Sequence, residues 1–434
     1  MPDGLDLEGF SLSGLVKGVP GGIAPFALRD IARKGWNLLR EDLPLPAAVL
    51  KTSALDHNDA WMQSFLKRSG AVISPHGKTT MSPALFRRQL EHGAWAMTVA
   101  TAQQIQVCRE MGVNRVVLAN QLIGRQAIRY VLDELAAHGD LELYCLADSM
   151  AGVAQLVRGL GGRSLRAPLN LLLEGGMVGG RTGCRDLATA LDVARAIAQA
   201  GPSLRLRGVE GFEGLINAKT PEETEARVRA FLDFLGSIAE ACVKENLFAP
   251  GPIILSAGGS AFYDMVIERF SRERLGRESL VLTRSGCYLT HDSGMYRRMF
   301  QRLSERTPVV GQLGQGLQPA LEVWTYVQSR PEVGLAICTM GRRDVSSDTD
   351  MPIPQTWSRP GGNTAPPQPL GSGYSVTGLN DQHAYMTVPA GSPLQVGDLV
   401  SFGVSHPCTT FDKWQLLYLV DDAYNVTGAV RTYF

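Results

Sequence analysis

From residue 71 onward, short apolar runs rich in β-formers alternate with longer stretches in which apolar residues recur every three or four positions. The short runs lie at 71–74, 94–99, 115–119, 141–147, 169–174, 204–212, 252–256 and 279–283. Strand and helix alternating without a break predict parallel βα units, and eight strands predict a closed (β/α)8 TIM barrel, with an open doubly wound sheet as the rival topology. Helix starts are marked where Ser82 precedes Pro83 and Thr220 precedes Pro221, a capping side chain before a first-turn proline. Past residue 286 the helical period fades. Segments such as 333–338, 383–388 and 399–404 alternate with turn residues and predict a separate, mainly-β domain. The stretch 350–373, rich in Pro, Gly and Ser, reads as a long loop, and 27–40 as an amphipathic helix. The expected division is an N-terminal extension over 1–45, the barrel over 46–286 and the β domain over 287–434.

Composition narrows the function classes. The chain has 434 residues, 44% of them hydrophobic, enough for a large core. Lys plus Arg and Asp plus Glu both number 42, so no global field favours nucleic acid or an anionic membrane. No apolar run is long enough for a membrane span, and Asp3, Asp6 and Glu8 are wrong for the basic start of a signal peptide. A cytoplasmic location is expected. The 7 cysteines form no C-x-x-C pair, which suits reduced thiols.

Chemistry in a barrel belongs at the carboxyl ends of the strands. Lys78 follows the first strand, Asn120 and Gln121 the third, Asp148 the fourth, and Arg181 and Thr182 the fifth, while Glu213 ends the sixth. An amine that loses its proton inside a protein can condense with an aldehyde, so Lys78 is a candidate covalent anchor; a surface lysine at a strand end is the plainer reading. After the seventh strand, the stretch 256–260 (Ser-Ala-Gly-Gly-Ser) reads as a phosphate cradle of backbone N–H groups, or as a tight turn. The Gly175-Gly176 and Gly179-Gly180 pairs lack a P-loop lysine and read as a flexible turn leading to Arg181. His406 and Cys408, on alternate positions of an extended segment, can reach one zinc ion, against the plainer reading of a packed histidine and a free thiol. His383 is a candidate third ligand or acid–base group.

In this order the motifs resemble those of the fold-type III pyridoxal-phosphate enzymes. The resemblance is to the branch with an alanine racemase-like barrel that contains D-serine dehydratase, D-threonine aldolase and 3-hydroxyaspartate-converting enzymes, the dehydratases above all. It covers about residues 45–434. It implies that Pro75, His76, Lys78 and Thr79 carry the Schiff-base lysine, that Arg181 to Gly183 flank the cofactor, and that Ser256, Gly258, Gly259 and Ser260 bind its phosphate. Arg284, Gly286 and Tyr288 would add further cofactor contacts, and His406 and Cys408 would hold zinc. The implied partner is a second copy of the chain, in a head-to-tail homodimer with shared active sites. Cys408, where the aldolases tend to have aspartate, favours dehydration.

The activity so implied is conversion of D-serine to pyruvate and ammonia, with Lys78 as base, His383 as a further acid–base candidate and zinc assisting loss of the β-hydroxyl. Aldol cleavage of a β-hydroxy-D-amino acid is the nearest rival, followed by a racemase. A pyridoxal-phosphate homeostasis protein is disfavoured by residues 290–434, because such proteins are generally single-domain. D-Serine, D-threonine and D-threo-3-hydroxyaspartate differ by a small group at Cβ, and pocket shape chooses among them.

Overall fold

The computed structural model describes residues 9–361 and 366–434. Backbone contacts group them into two units, one of Gln63–Lys78 with Gln89–Gly286, the other of the chain up to Met62 with Thr79–Arg88 and Cys287–Phe434.

In the first unit all eight expected strands form, and all are parallel. They are Val72–Ile73, Met97–Val99, Arg115–Gln121, Glu142–Ala147, Leu169–Glu174, Leu204–Gly211, Ile253–Ala257 and Ser279–Thr283. The last returns to the first, pairing Leu282 with Val72 and Thr283 with Ile73. A parallel bridge between His76 and Thr98 links the first strand to the second, so the ring closes and the open-sheet rival is set aside. The helices earn their place by an apolar stripe: in Arg125–Ala137 the buried residues are Ile128, Val131, Leu132 and Leu135, a single face. Thr101, Ser149, Asp186 and Thr220 each accept a backbone N–H at a helix start, satisfying donors that the first turn leaves free. Inward side chains Val117, Tyr144, Leu146, Leu172, Ile254 and Leu282 fill the barrel. In-register pairing sets Glu174 beside Glu210 and Glu210 beside Ser256, bringing three polar groups to one level of the mouth.

The second unit is built on antiparallel pairing around the long strand Leu321–Glu332, with Leu335–Cys338 and Leu399–Gly403 as its neighbours. Four expectations change here. Residues assigned to the start of the barrel form the strand Ala47–Lys51, which pairs with Leu321–Glu332 and with Leu416–Val420. Within the stretch read as a loop, Ile353–Ser358 pairs with Leu399–Gly403; a register shift between Pro354 and Thr356 accommodates a proline that lacks a ladder donor. Residues 362–365 of that stretch lie outside the described residues. The helix expected over 27–40 is two 3-10 helices, Leu28–Lys34 and Leu38–Arg40, separated where Gly35 takes a left-handed φ of 63°. Helices also continue past residue 286: Met295–Arg306 escapes a hydrophobic-period reading because Leu303 is its one buried residue among many arginines. The core of this unit gathers Trp324, Leu399, Tyr418 and Tyr424. Among the described residues no helix is long and apolar enough to cross a membrane.

At Gly208 the neighbouring strand comes close, since a Cβ there would run into the backbone of Ile254. Gly208→Ala is expected to destabilise the protein by about 1–3 kcal/mol, as overpacking does. The check is a lower urea midpoint at an unchanged slope.

Candidate active site

Lys78 sits on a single 3-10 turn, Gly77–Thr79, directly after the first barrel strand. Its amine is exposed and has no hydrogen bond or ion pair among the described residues. His76, two residues earlier, has a buried Nδ1 without a partner. Burial holds its pKa well below the ordinary value, and the positive charges of Lys78, Arg284 and Arg181 push the same way. His76 is therefore a neutral imidazole.

The cradle expected at Gly258 and Gly259 is occupied by the protein itself. The two carboxylate oxygens of Glu213 accept the N–H of Gly258 at 3.0 Å and that of Gly259 at 2.7 Å. Burial pushes Glu213 up to about 7, against the pull of those amides. A Cβ on Gly258 would meet the Arg284 guanidinium and one on Gly259 the Glu213 carboxylate, so either side chain would have to shift to admit a larger residue. Both amide donors expected to hold a phosphate are thus committed to Glu213. The Ser260 side chain and N–H stay uncommitted among the described residues, close to the start of the helix Tyr263–Ser271.

Arg284 and Ser256, expected as separate cofactor contacts, belong to one buried network. Arg284 donates from Nε to Ser256 Oγ at 3.2 Å, to the Gly211 carbonyl at 3.2 Å, and to the carboxylate of Glu210. Glu210 was not among the sequence candidates; its only signal is a carboxylate at the inward end of a strand. Gly286 is buried in the turn that follows. Arg181 is exposed, its guanidinium 4.3 Å from the Phe212 ring centroid. The loop bearing it is tied down from both sides. Glu174 accepts Gln121 Nε2 at 2.5 Å and Thr182 Oγ1 at 2.7 Å, and Asp148 accepts the Gly183 N–H at 3.1 Å.

In the second unit, the Tyr288 hydroxyl donates to Asp59 at 3.1 Å and the ring is buried, so this side chain is committed elsewhere than expected. His406 and Cys408 do come together, though not on an extended segment. His406 has a left-handed φ of 89°, Pro407 is helical, and Cys408 begins a short helix, Cys408–Phe411. A non-glycine residue holds such a conformation only when its surroundings impose it. Here Asp292 does so, accepting the His406 N–H at 3.1 Å together with those of Gly294 and Tyr296 at 2.9 Å each. His406 Nδ1 lies 2.6 Å from Asp348, which also accepts the Thr409 hydroxyl at 2.9 Å. The Cys408 sulfur stands 3.6 Å from that of Cys287 and 3.5 Å from the hydroxyl of Thr79, the residue that follows Lys78.

The hydrogen bond from Cys287, and then His406, hold Cys408 well below the ordinary thiol range despite burial. The Cys408 sulfur, and then Asp348, raise His406 to about 9. The pair is thus an imidazolium beside a thiolate. His383 lies in the turn before the strand Ala384–Thr387, where its carbonyl accepts the Asn380 N–H at 2.9 Å. Among the described residues no group of three or more His, Cys, Asp or Glu is arranged to hold a metal ion, so His383 does not join the pair.

These residues fit the two groups that the sequence implies. A free amine at Lys78, an orphaned imidazole nitrogen at His76 and an uncommitted Ser260 suit an aldehyde cofactor bearing a phosphate. A thiolate and a histidine oriented by a carboxylate suit a soft divalent metal, whose binding would displace the imidazolium proton.

Residues 50–267 match the family model described as "Alanine racemase, N-terminal domain", and residues 320–420 the one described as "Putative serine dehydratase domain". The chain is similar in structure to D-threonine aldolase from Filomicrobium marinum, with 20% identity and a TM-score of 0.73 over 92% of this chain and 97% of that one. It is similar to D-threo-3-hydroxyaspartate dehydratase from Delftia sp. HT23, with 20% identity and a TM-score of 0.68 over 92% and 99%. An alanine racemase-like protein from Idiomarina loihiensis aligns at 15% identity with a TM-score of 0.67, over 90% and 96%. At these identities the likeness carries the fold. No curated protein matches the chain in sequence.

Glu213 carries a pH dependence of known sign. Its ordinary value is 4.5, and in the folded chain it rises to about 7. The folded state therefore holds the proton more tightly, and the stability this contributes is complete below the unfolded value and is lost as pH rises through the folded one. The urea midpoint is expected to fall between about pH 5 and about pH 8, and Glu213→Gln to flatten that fall, when the two proteins are unfolded in parallel.

Proposed function

The chain belongs to the fold-type III pyridoxal-phosphate family built on the alanine racemase N-terminal domain, and from that membership we propose that it is a D-serine dehydratase that releases pyruvate and ammonia, with pyridoxal phosphate and zinc as cofactors. The observation that carries the reading is the thiolate–imidazole pair Cys408 and His406, oriented by Asp348 and 3.5 Å from the hydroxyl of the residue following Lys78. The serine dehydratase match over 320–420 spans both residues. Solved variants of D-threo-3-hydroxyaspartate dehydratase replace a histidine and, two positions later, a cysteine, the latter in a metal-free form; His406 and Cys408 have that spacing.

Pyridoxal phosphate, when bound, supplies an electron sink that makes the substrate's α-proton removable. Lys78 would hold its aldehyde, and its Nζ would be the group to take the substrate's α-proton. His76, uncharged and with its Nδ1 buried, adds no further positive charge near that amine. Ser260 offers its hydroxyl and N–H to the phosphate at a helix start. His406 and Cys408 are the groups to hold zinc, whose Lewis acidity would make the β-hydroxyl a better leaving group.

A second reading is favoured by the likeness to D-threonine aldolase: the same residues would serve cleavage of the Cα–Cβ bond, with a base taking the hydroxyl proton. Product analysis separates the two. Zinc-dependent pyruvate from D-serine and 2-oxobutyrate from D-threonine are expected; glycine and acetaldehyde from D-threonine, without an oxo acid, would make it an aldolase. Lys78→Ala is expected to lower turnover by at least about 100-fold, the scale of losing a catalytic base, and to abolish the visible absorbance of the bound cofactor. Wild-type turnover in that variant would end the reading. We further propose that the active form is a homodimer, expected as twice the 46.9 kDa chain mass in sedimentation equilibrium, with a monomer of full activity as the contrary result.

A further inference from the structure

The helical layer of the barrel carries a cleft that the proposed reaction does not use. It lies between the helices Arg125–Ala137 and Met150–Leu160 and has a volume of about 660 Å³, within the range of small-molecule sites. Its floor is apolar. Ile128 and Leu160 are buried there, and Gly159 lets the two helices close up, since a Cβ on it would meet the Ile128 side chain. The charged lining is four arginines against one aspartate, Asp133. Asp133 is already taken, because it accepts Arg163 Nη1 at 2.6 Å. Arg163 also donates to the carbonyls of Gly159 at 3.2 Å and Leu160 at 3.4 Å, which fixes it at the end of its helix.

The other three arginines, Arg125, Arg129 and Arg158, are exposed, and their guanidinium groups have no hydrogen bond or ion pair among the described residues. Arginines on other barrel helices find carboxylates, as Arg109 does with Glu134, Arg195 with Glu245 and Arg269 with Asp233. Here like charges face one cleft without a counter-charge, and Arg125 and Arg129, one helical turn apart, repel each other on a single stripe. A second feature points the same way. The helix that bears them starts after Gly124, which offers no side chain to cap it. The positive end of that helix is therefore uncompensated where Arg125 stands. Phosphate is the common ligand of such a helix start, and guanidinium forks match phosphate oxygens in pairs.

We infer that this cleft binds a small molecule carrying two or more linked phosphates, held by Arg125, Arg129 and Arg158. Four arginines against one aspartate leave a positive surplus that a triphosphate chain neutralises and a single phosphate does not. The apolar floor of Ile128 and Leu160 takes the body of an organic polyphosphate, of which a nucleoside triphosphate is the type. The positive field is local, since basic and acidic residues balance over the whole chain. The site is built from two barrel helices alone, so it stands independently of the metal and of the dehydratase reading.

The test is calorimetric titration of the full-length protein, loaded with pyridoxal phosphate and then dialysed, with ATP, inorganic tripolyphosphate, AMP and citrate. Wild type is compared with Arg129→Ala, Arg158→Ala and Arg302→Ala, with circular dichroism as the folding control. Arg302 is an exposed arginine outside the cleft, on the helix Met295–Arg306, and alanine suits exposed helix positions. One ATP or tripolyphosphate per chain is expected, bound at least about 10-fold more tightly than AMP. Arg129→Ala and Arg158→Ala are each expected to weaken that binding by roughly 10-fold or more, the scale of a hydrogen bond to a charged group, and Arg302→Ala to leave it unchanged. ATP bound more tightly than tripolyphosphate assigns the site to an organic polyphosphate, and equal affinity assigns it to the phosphate chain alone; both uphold the site. No saturable binding of either polyphosphate overturns it. So does binding that Arg129→Ala and Arg158→Ala leave intact, an equal loss in Arg302→Ala, or citrate bound more tightly than both polyphosphates.

Discussion

A guanidinium with no access to water must find its counter-charge inside the protein, and Arg284 dictates the barrel mouth on those terms. It reaches Glu210 and the Gly211 carbonyl on one strand and Ser256 on the next, so three adjacent strand ends share a single cation. Breaking one arm of such a pair leaves a buried charge uncompensated, typically a loss of about 3–5 kcal/mol. The guanidinium also lies where a side chain on residue 258 would be, so anything larger than glycine there would have to displace it. With glycine at 258 and 259, the loop turns its amides onto Glu213. The order of dependence runs from cation to loop to carboxylate, and the free groups left at the mouth, Lys78, His76 and Ser260, are those the network does not use.

The second unit solves a similar problem with an anion. Asp292 is 1% exposed and satisfies itself with backbone N–H groups of residues 294, 296 and 406. One carboxylate thereby starts the helix Met295–Arg306 and pins His406 in a conformation that it would not adopt freely. Asp348 then sets the ring, and Cys408, one helical residue further on, comes to rest against Cys287. The thiolate and the imidazole are thus held by backbone geometry as well as by each other, which preorganises the pair.

Much of the barrel was legible in the residues alone. Eight β-rich runs with helical stretches between them reflect pairing and periodicity that act within a dozen positions, and the strands formed within a few residues of where they were expected. The placement of Lys78 after a first strand, of Ser260 near a helix start and of His406 close to Cys408 was legible too, because each rests on a local signal. The errors also had local causes. Proline at 354 suggested a loop where a bulge lets a strand form, and arginines along 295–306 concealed a helix that buries one leucine.

By itself, then, the sequence determined the periodicities, the caps and the placement of reactive residues at strand ends, all of which depend on neighbours along the chain. Only the tertiary structure decided which of those residues remain free. Gly258 and Gly259 read as donors waiting for a phosphate, yet they face Glu213, 45 and 46 positions earlier. Arg284 read as a ligand contact and is consumed by Glu210, 74 positions away. Cys287 gave no signal at all until folding set its sulfur beside Cys408. The physical reason is the same in each case: a buried polar group must be satisfied by whatever the fold brings to it, and that partner is chosen by distance in space, which a linear sequence does not record.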